Sequence, residues 1–207
     1  MCGICGFIDS SGNLDHFEII KGMNKAFLHR GPDDGGIYHS QTADGNFYLG
    51  LGHRRLSIID LNTGHQPMRC YDGSVIIVFN GEIYNYQQLR QELMAEGHRF
   101  ETDSDTEAVI NAYLEYGVNC LSRLRGMFAF ALWDQKNNQL FLARDRFGQK
   151  PLFIYEHSNS LFFASEIKSL VSLPHFNREI DYTSIYHYLT YRYVPAPETL
   201  FSKIKKL

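Results

Sequence analysis

Two short polar connections, Gln135-Lys-Asn-Asn138 and His157-Ser-Asn-Ser160, each divide a pair of β-prone stretches: 126–133 from 139–145, and 151–155 from 161–165. Connections this short predict hairpins, and hairpins build antiparallel sheets. Further strands are expected at 3–9, 36–40, 47–52 and 74–79, the last a β-branched run, Ser74-Val-Ile-Ile-Val-Phe79. Helical patterns interrupt the strands in blocks rather than alternating singly with them. An α+β fold is therefore expected in preference to a doubly wound parallel one.

The helices carry their own punctuation. Asp15 to Leu28 spaces Phe17, Ile20, Met23 and Phe27 on a helical period, with Asp15 placed to cap it. His29-Arg30-Gly31-Pro32-Asp33-Asp34-Gly35-Gly36 is turn chemistry, and no helix continues past Pro32. Tyr86 to Gly97 sets Leu89 and Leu93 on one face, with Gly97 as the stop. Ser104-Asp105-Thr106-Glu107 reads as a capping box opening a helix that runs to Gly117. A last helix is expected over 182–191. There is no internal repeat, so residues 1–192 are read as one domain, with 193–207 departing from it.

At 207 residues and 44% hydrophobic content the chain can bury a real core. A net charge of −3, with Lys203, Lys205 and Lys206 as the only basic cluster, argues against a nucleic-acid surface. The longest apolar run, Met127 to Trp133, falls far short of the ~18 residues of a membrane span. No basic start followed by an apolar stretch marks a signal peptide, so a cytoplasmic location is expected.

Cys2 stands where removal of Met1 would make it the first residue. Its thiol would then share a residue with a free α-amine that titrates at about 7.7–8.0, near enough to neutral to take the thiol's proton. Such a pair is a known route to amide cleavage. By itself Cys2 could equally be an ordinary residue at a strand start. With Cys5 it also forms a C-x-x-C pair. Zinc would want two more ligands at tight spacing, and Cys70 and Cys120 are singletons. A redox dithiol would open a helix, whereas this pair sits in a strand-like run. No metal site is expected.

Cleavage by a thiol needs donors aimed at the developing oxyanion. Asn80-Gly81-Glu82 follows the buried run 74–79 and offers an amide NH₂ beside a glycine N–H. The competing reading is an Asn-Gly hairpin turn, weakened because Ile83-Tyr84-Asn85-Tyr86 leads into a helix. An amino-acid substrate such as glutamine also needs a carboxylate clamp, which Arg55 could supply, and acceptors for its ammonium, which Glu82 and Asp105 could supply. For Asp105 the plain alternative is first-turn helix stabilisation, worth ~0.3–1 kcal/mol.

These blocks resemble the N-terminal glutaminase domain of glutamine-hydrolysing asparagine synthetases, within the class II glutamine amidotransferases. The resemblance runs from residue 2 to about 200. It rests on Met1-Cys2-Gly3-Ile4, His29-Arg30-Gly31-Pro32-Asp33, His53-Arg54-Arg55-Leu56-Ser57-Ile58, Gly64-His65-Gln66-Pro67-Met68 and Phe79-Asn80-Gly81-Glu82-Ile83-Tyr84-Asn85-Tyr86. Ser104 to Glu107, Gly126-Met127-Phe128-Ala129-Phe130, Arg144 to Leu152 and Ala164-Ser165-Glu166-Ile167-Lys168 complete it, and the Arg144 block points to the asparagine synthetase branch.

The resemblance implies an N-terminal-nucleophile hydrolase fold, a four-layer αββα sandwich of two antiparallel sheets. It implies Cys2 as nucleophile, with the Asn80 amide and Gly81 backbone as oxyanion donors. Arg55 would bind the substrate carboxylate, and Glu82 and Asp105 its ammonium. Leu56, Ser57, Ile58 and Ile59 would line the pocket beside Arg55, while Arg30 and Gly31 brace the chain around Cys2. Cys5 would be a small packing residue. The domain itself would take no cofactor. Its partners would be L-glutamine, a C-terminal synthetase domain in cis that uses ATP and magnesium, and a second copy in a homodimer. No Ser-Gly-Gly-x-Asp-Ser pyrophosphatase loop occurs in the 207 residues, which leaves 193–207 as the start of a connection to that domain. The implied reaction is hydrolysis of glutamine to glutamate and ammonia, the ammonia serving asparagine synthesis from aspartate. Another acceptor, or a non-catalytic glutamine-binding module, would use the same pocket.

Overall fold

The computed structural model describes residues 1–10, 15–42, 44–56 and 64–207. In chain order the elements are β1 (Gly3–Asp9), α1 (His16–Lys25), β2 (Asp34–Gln41), β3 (Tyr48–Arg55), β4 (Met68–Arg69) and β5 (Val75–Ile83). They continue as α2 (Tyr86–Ala95), α3 (Asp105–Tyr116), β6 (Gly126–Asp134), β7 (Gln139–Arg144), β8 (Phe153–His157), β9 (Ser160–Ala164), α4 (Ile167–Val171), α5 (Tyr182–Tyr191) and β10 (Ile204–Lys206). No helix among the described residues is long and apolar enough to cross a membrane.

The strands form two sheets, one of six strands in the order β10-β8-β9-β1-β3-β2 and one of four in the order β4-β5-β6-β7. Every pairing between named strands is antiparallel. Strand alternation divides each sheet into two faces, and the three cores follow that division. Phe7, Ile20, Met23, Phe27 and Phe162 pack α1 and α4 onto the outer face of the six-stranded sheet. Ile4, Leu49, Leu51, Ile76, Val78, Ala129, Ala131 and Trp133 fill the space between the sheets. Val75, Ile77, Phe79, Leu89, Leu93, Val109 and Phe130 pack α2 and α3 onto the outer face of the four-stranded sheet. The result is the α+β, four-layer αββα sandwich.

Local signals hold where they are self-contained. Asp15 caps α1, its carboxylate accepting the Glu18 N–H at 3.1 Å. Both hairpins form, β6 to β7 and β8 to β9. Three readings need correction. The Ser104 motif is not a reciprocal capping box: Ser104 Oγ accepts the Thr106 N–H at 3.1 Å, but Glu107 reaches back past Ser104 to the N–H groups of Glu101 and Thr102, both at 2.7 Å. That carboxylate therefore fastens the loop entering α3 rather than the cap itself. Asn80-Gly81-Glu82 is neither turn nor strand end, because β5 continues to Ile83 in register with Gly126. Residues 193–207, read as leaving the domain, turn back instead. Ile204–Lys206 adds an edge strand against β8, and the Leu207 N–H donates to the Leu152 carbonyl at 3.0 Å.

Candidate active site

Four strands present their inter-sheet faces in rows, and each row changes character at the same end of the sandwich. On β5 the row runs Ile76, Val78, Asn80, Glu82; on β3 it runs Leu49, Leu51, His53, Arg55; on β6, Trp133, Ala131, Ala129, Met127. Extending the β1 row outward from Ile4 arrives at Cys2. Period-two geometry thus delivers the thiol, the guanidinium, the amide and a carboxylate to one opening without any of them leaving its strand direction. Cys2, Arg55, Leu56, Asn80, Gly81, Glu82 and Asp105 line a single cleft of about 130 Å³ there.

The same alternation removes the dithiol reading. Cys5 is an odd number of residues from Cys2 and points to the opposite face of β1, fully buried among Phe7, Ile20 and Met23. Burial pushes its thiol far above the ordinary cysteine range. All four cysteines are free, and no metal-binding group of His, Cys, Asp or Glu exists among the described residues.

Cys2 is partly buried, its Sγ 3.7 Å from the Leu56 carbonyl oxygen. Arg30 holds the other side of the residue, its Nε donating to the Cys2 carbonyl at 2.9 Å. Gly31 lets Pro32 pair with Arg55: a Cβ there would lie 2.3 Å from the Arg55 nitrogen. The Asp33 N–H donates to the Arg55 carbonyl at 3.2 Å, so the His29–Asp33 turn positions both Cys2 and Arg55.

Asn80 is 1% exposed, and its side-chain Nδ2 is buried with no hydrogen-bond acceptor among the described residues. A buried amide NH₂ without a partner forfeits about 1–3 kcal/mol, so its presence calls for an explanation. Gly81 supplies a second donor by register. Phe128, opposite it, commits its N–H and carbonyl to Asp145 (3.2 and 2.8 Å), so the Gly81–Phe128 pair is a non-hydrogen-bonded one. The Gly81 N–H accordingly faces the open edge of β5. On that edge the Phe79 N–H meets Gln66 Oε1 at 2.6 Å and the Ile83 N–H meets Asp105 Oδ2 at 3.0 Å. Glycine is needed at 81 for a reason the sequence did not disclose. A Cβ would sit 2.3 Å from the Met127 carbonyl oxygen, so the close approach is by β6.

Electrostatically the cleft holds one cation and two anions from the expected set. Arg55 is 7% exposed. Burial pushes the Asp105 carboxyl up, and the negative charge of Glu82 adds to the rise despite the Ile83 hydrogen bond. Two carboxylates sharing a pocket in this way favour a cation between them. His53, next inward from Arg55, is held down at about 3 by burial, with Arg55 adding to the effect, and is therefore neutral. Among the described residues no histidine lines the cleft.

Ser57, Ile58 and Ile59 lie outside the described residues. The remaining expected positions are all in or against the cleft. Gln66, Thr106, Met127 and Lys150 also line it and carried no predicted role. Gln66 is the most structural of these, joining Phe79 to Thr106 Oγ1 (3.4 Å) and so tying β5 to the start of α3. Its only sequence signal was its place in the Gly64–Met68 block.

The chain belongs to the glutamine amidotransferase domain family, which matches residues 1–207. It is 43% identical over 210 residues to asparagine synthetase [glutamine-hydrolyzing] 1 of Bacillus subtilis, covering 100% of this chain and 32% of the relative. It is 42% identical over 222 residues to a putative asparagine synthetase [glutamine-hydrolyzing] of Mycobacterium tuberculosis, covering 100% of this chain and 34% of the relative. The chain thus spans about a third of the length of these relatives. In fold it is similar to the glutamine phosphoribosylpyrophosphate amidotransferase of B. subtilis, with a TM-score of 0.66 at 24% identity over 82% of this chain and 43% of that one.

Proposed function

We propose that the chain hydrolyses L-glutamine to glutamate and ammonia, with Cys2 as nucleophile once Met1 is removed. The ammonia then passes to a C-terminal ATP- and magnesium-dependent domain of the same cytoplasmic polypeptide, where aspartate is amidated. The observation that carries this reading is the buried Asn80 amide, without an acceptor among the described residues, in the same cleft as Cys2. An oxyanion would be its acceptor.

In this mechanism Arg55 holds the α-carboxylate of glutamine, and Glu82 with Asp105 holds its ammonium. The Cys2 α-amine takes the thiol proton, and the sulfur adds to the side-chain carbonyl carbon. The resulting oxyanion receives hydrogen bonds from Asn80 Nδ2 and the Gly81 N–H. The α-ammonium returns its proton to the leaving nitrogen, ammonia departs, and a γ-glutamyl thioester remains. Water, deprotonated by the same amine, cleaves the thioester and restores the thiol. Support for the amine as base comes from the lining of the cleft, which contains no imidazole among the described residues.

The test is glutamate release from glutamine by the chain with an unblocked Cys2, compared with Cys2→Ala. Release by the first and not the second is expected. Glutamine binding without release by either would make the chain a binding module. In the longer protein, ATP-dependent formation of asparagine from aspartate is expected, and an amide formed only from another acid would replace aspartate as acceptor.

A further inference from the structure

The nucleophile's segment is gripped from one corner of the fold. Where β9 turns into α4, Ser165 Oγ accepts the Ile4 N–H at 3.0 Å and the Ser165 N–H donates to the Ile4 carbonyl at 2.8 Å. At the next residue, Glu166 Oε1 accepts from Arg30 Nη1 at 3.3 Å and meets His29 Nε2 at 2.9 Å, while Oε2 lies 3.2 Å from Lys168 Nζ. Arg30 is the residue whose Nε holds the Cys2 carbonyl. We propose that Glu166 is a positioning residue for glutamine hydrolysis, acting through Arg30 to set where the Cys2 thiol and α-amine point. This rests on Cys2 being the nucleophile.

Three observations carry the assignment. Cys2 lies one residue before the β1 ladder, which starts at Gly3, so alternation sets the face its side chain takes while the Arg30 side chain, and no ladder partner, holds its carbonyl. An arginine side chain is long and flexible, and it fixes a distant carbonyl only if its guanidinium is itself anchored. The Arg30 side chain is 10% exposed and that of Glu166 22%, so the contact is poorly screened by solvent. Glu166 also occupies the N-cap position of α4, yet its side chain makes no capping hydrogen bond. Its carboxylate is turned to Arg30 instead. Burial pushes that carboxyl up, but hydrogen bonds from Lys168, His29 and Arg30 outweigh it and hold the group ionised below the ordinary range. The His29 and Lys168 side chains, about half exposed, meet the same carboxylate and complete its anchoring.

Misplacement of a reacting atom by about 1 Å can cost on the order of 10² in rate. Glu166→Gln should therefore lower kcat for glutamine by about ten- to a hundredfold, with KM changed less than about threefold and the melting temperature nearly unchanged. Alkylation of Cys2 by iodoacetamide should slow in the same variant. Glu166→Asp, which keeps the charge, should recover part of the turnover. The double variant Glu166→Gln/Arg30→Lys should be little worse than Arg30→Lys alone, because both changes break one chain of contacts. Wild-type kcat in a folded Glu166→Gln variant would overturn the assignment. So would strict additivity in the double variant, or a loss of kcat that follows melting temperature and is not eased by Glu166→Asp. Retention of turnover by Cys2→Ala would instead sink the nucleophile reading.

Discussion

The layer between the two sheets has a closed end and an open end built from the same strands and the same faces. At the closed end Ile76, Val78, Leu49 and Trp133 are at most 2% exposed and pack within one apolar cluster. Two to six residues further along, the rows deliver Asn80, Glu82 and Arg55, and Cys2 beyond Ile4. The backbone does not distinguish the two ends. Side-chain chemistry alone turns a core into a cleft, so substitutions at the two ends should fail in opposite ways. The closed end should lose stability with activity per folded molecule intact, and the open end should lose activity with stability intact.

The sharpest break is Cys2→Ala, which should take glutamate release below detection while the melting temperature moves by no more than a degree or two. Trp133→Ala is its counterpart at the closed end. It should cost about 3–5 kcal/mol in denaturant unfolding, with kcat per folded molecule preserved. Asn80→Ala removes a donor that has no partner among the described residues. Turnover should fall on the order of 10²–10³, while unfolding free energy stays level or rises. A marked loss of stability in that variant would mean that the amide is structural. Arg55→Ala should raise KM for glutamine by about ten- to a hundredfold, from loss of hydrogen bonds to a charged group, and a normal KM would remove Arg55 from the clamp. The smallest effect concerns pH. The folded-state value of Asp105 is raised, so the folded protein binds that proton more readily than the unfolded chain does. Its ionisation therefore costs stability as pH climbs from the ordinary carboxylate value of about 3.9 through the higher folded value. Asp105→Asn should match wild type in acid and exceed it slightly in melting temperature at neutral pH, while binding glutamine less well.

Much of this was legible because it is local. Asp15, Leu89, Leu93 and the two hairpin turns announce their elements within a few residues, and the run 74–79 declares a buried strand. The convergence of Cys2, Arg55 and Asn80 was a different matter. It depends on inward-facing rows from four strands ending at one opening, and parity across partners 25 or more residues apart leaves no mark in any one segment. Glu107 looked like half of a capping box because spacing cannot tell which backbone N–H a carboxylate will choose. Gln66 was invisible as a brace because its partners lie 13 and 40 residues away. The spacing of α5 gives a helix, but not that Ser184 is its only buried residue while Tyr182, Tyr186 and Leu189 are more than 60% exposed. The return of 193–207 was hidden by its prolines, which suggested an exit rather than an edge strand.

The opposite orientation of the first two cysteines has a practical corollary. Cys5 and Cys120 are wholly enclosed and Cys70 is 8% exposed, which leaves one sulfur open to bulk reagents. A dye or spin probe carried on a thiol-directed group should load at one equivalent on the folded chain and four on the denatured one. The molecule thus comes with a built-in reporter at its cleft, and bound glutamine should protect it.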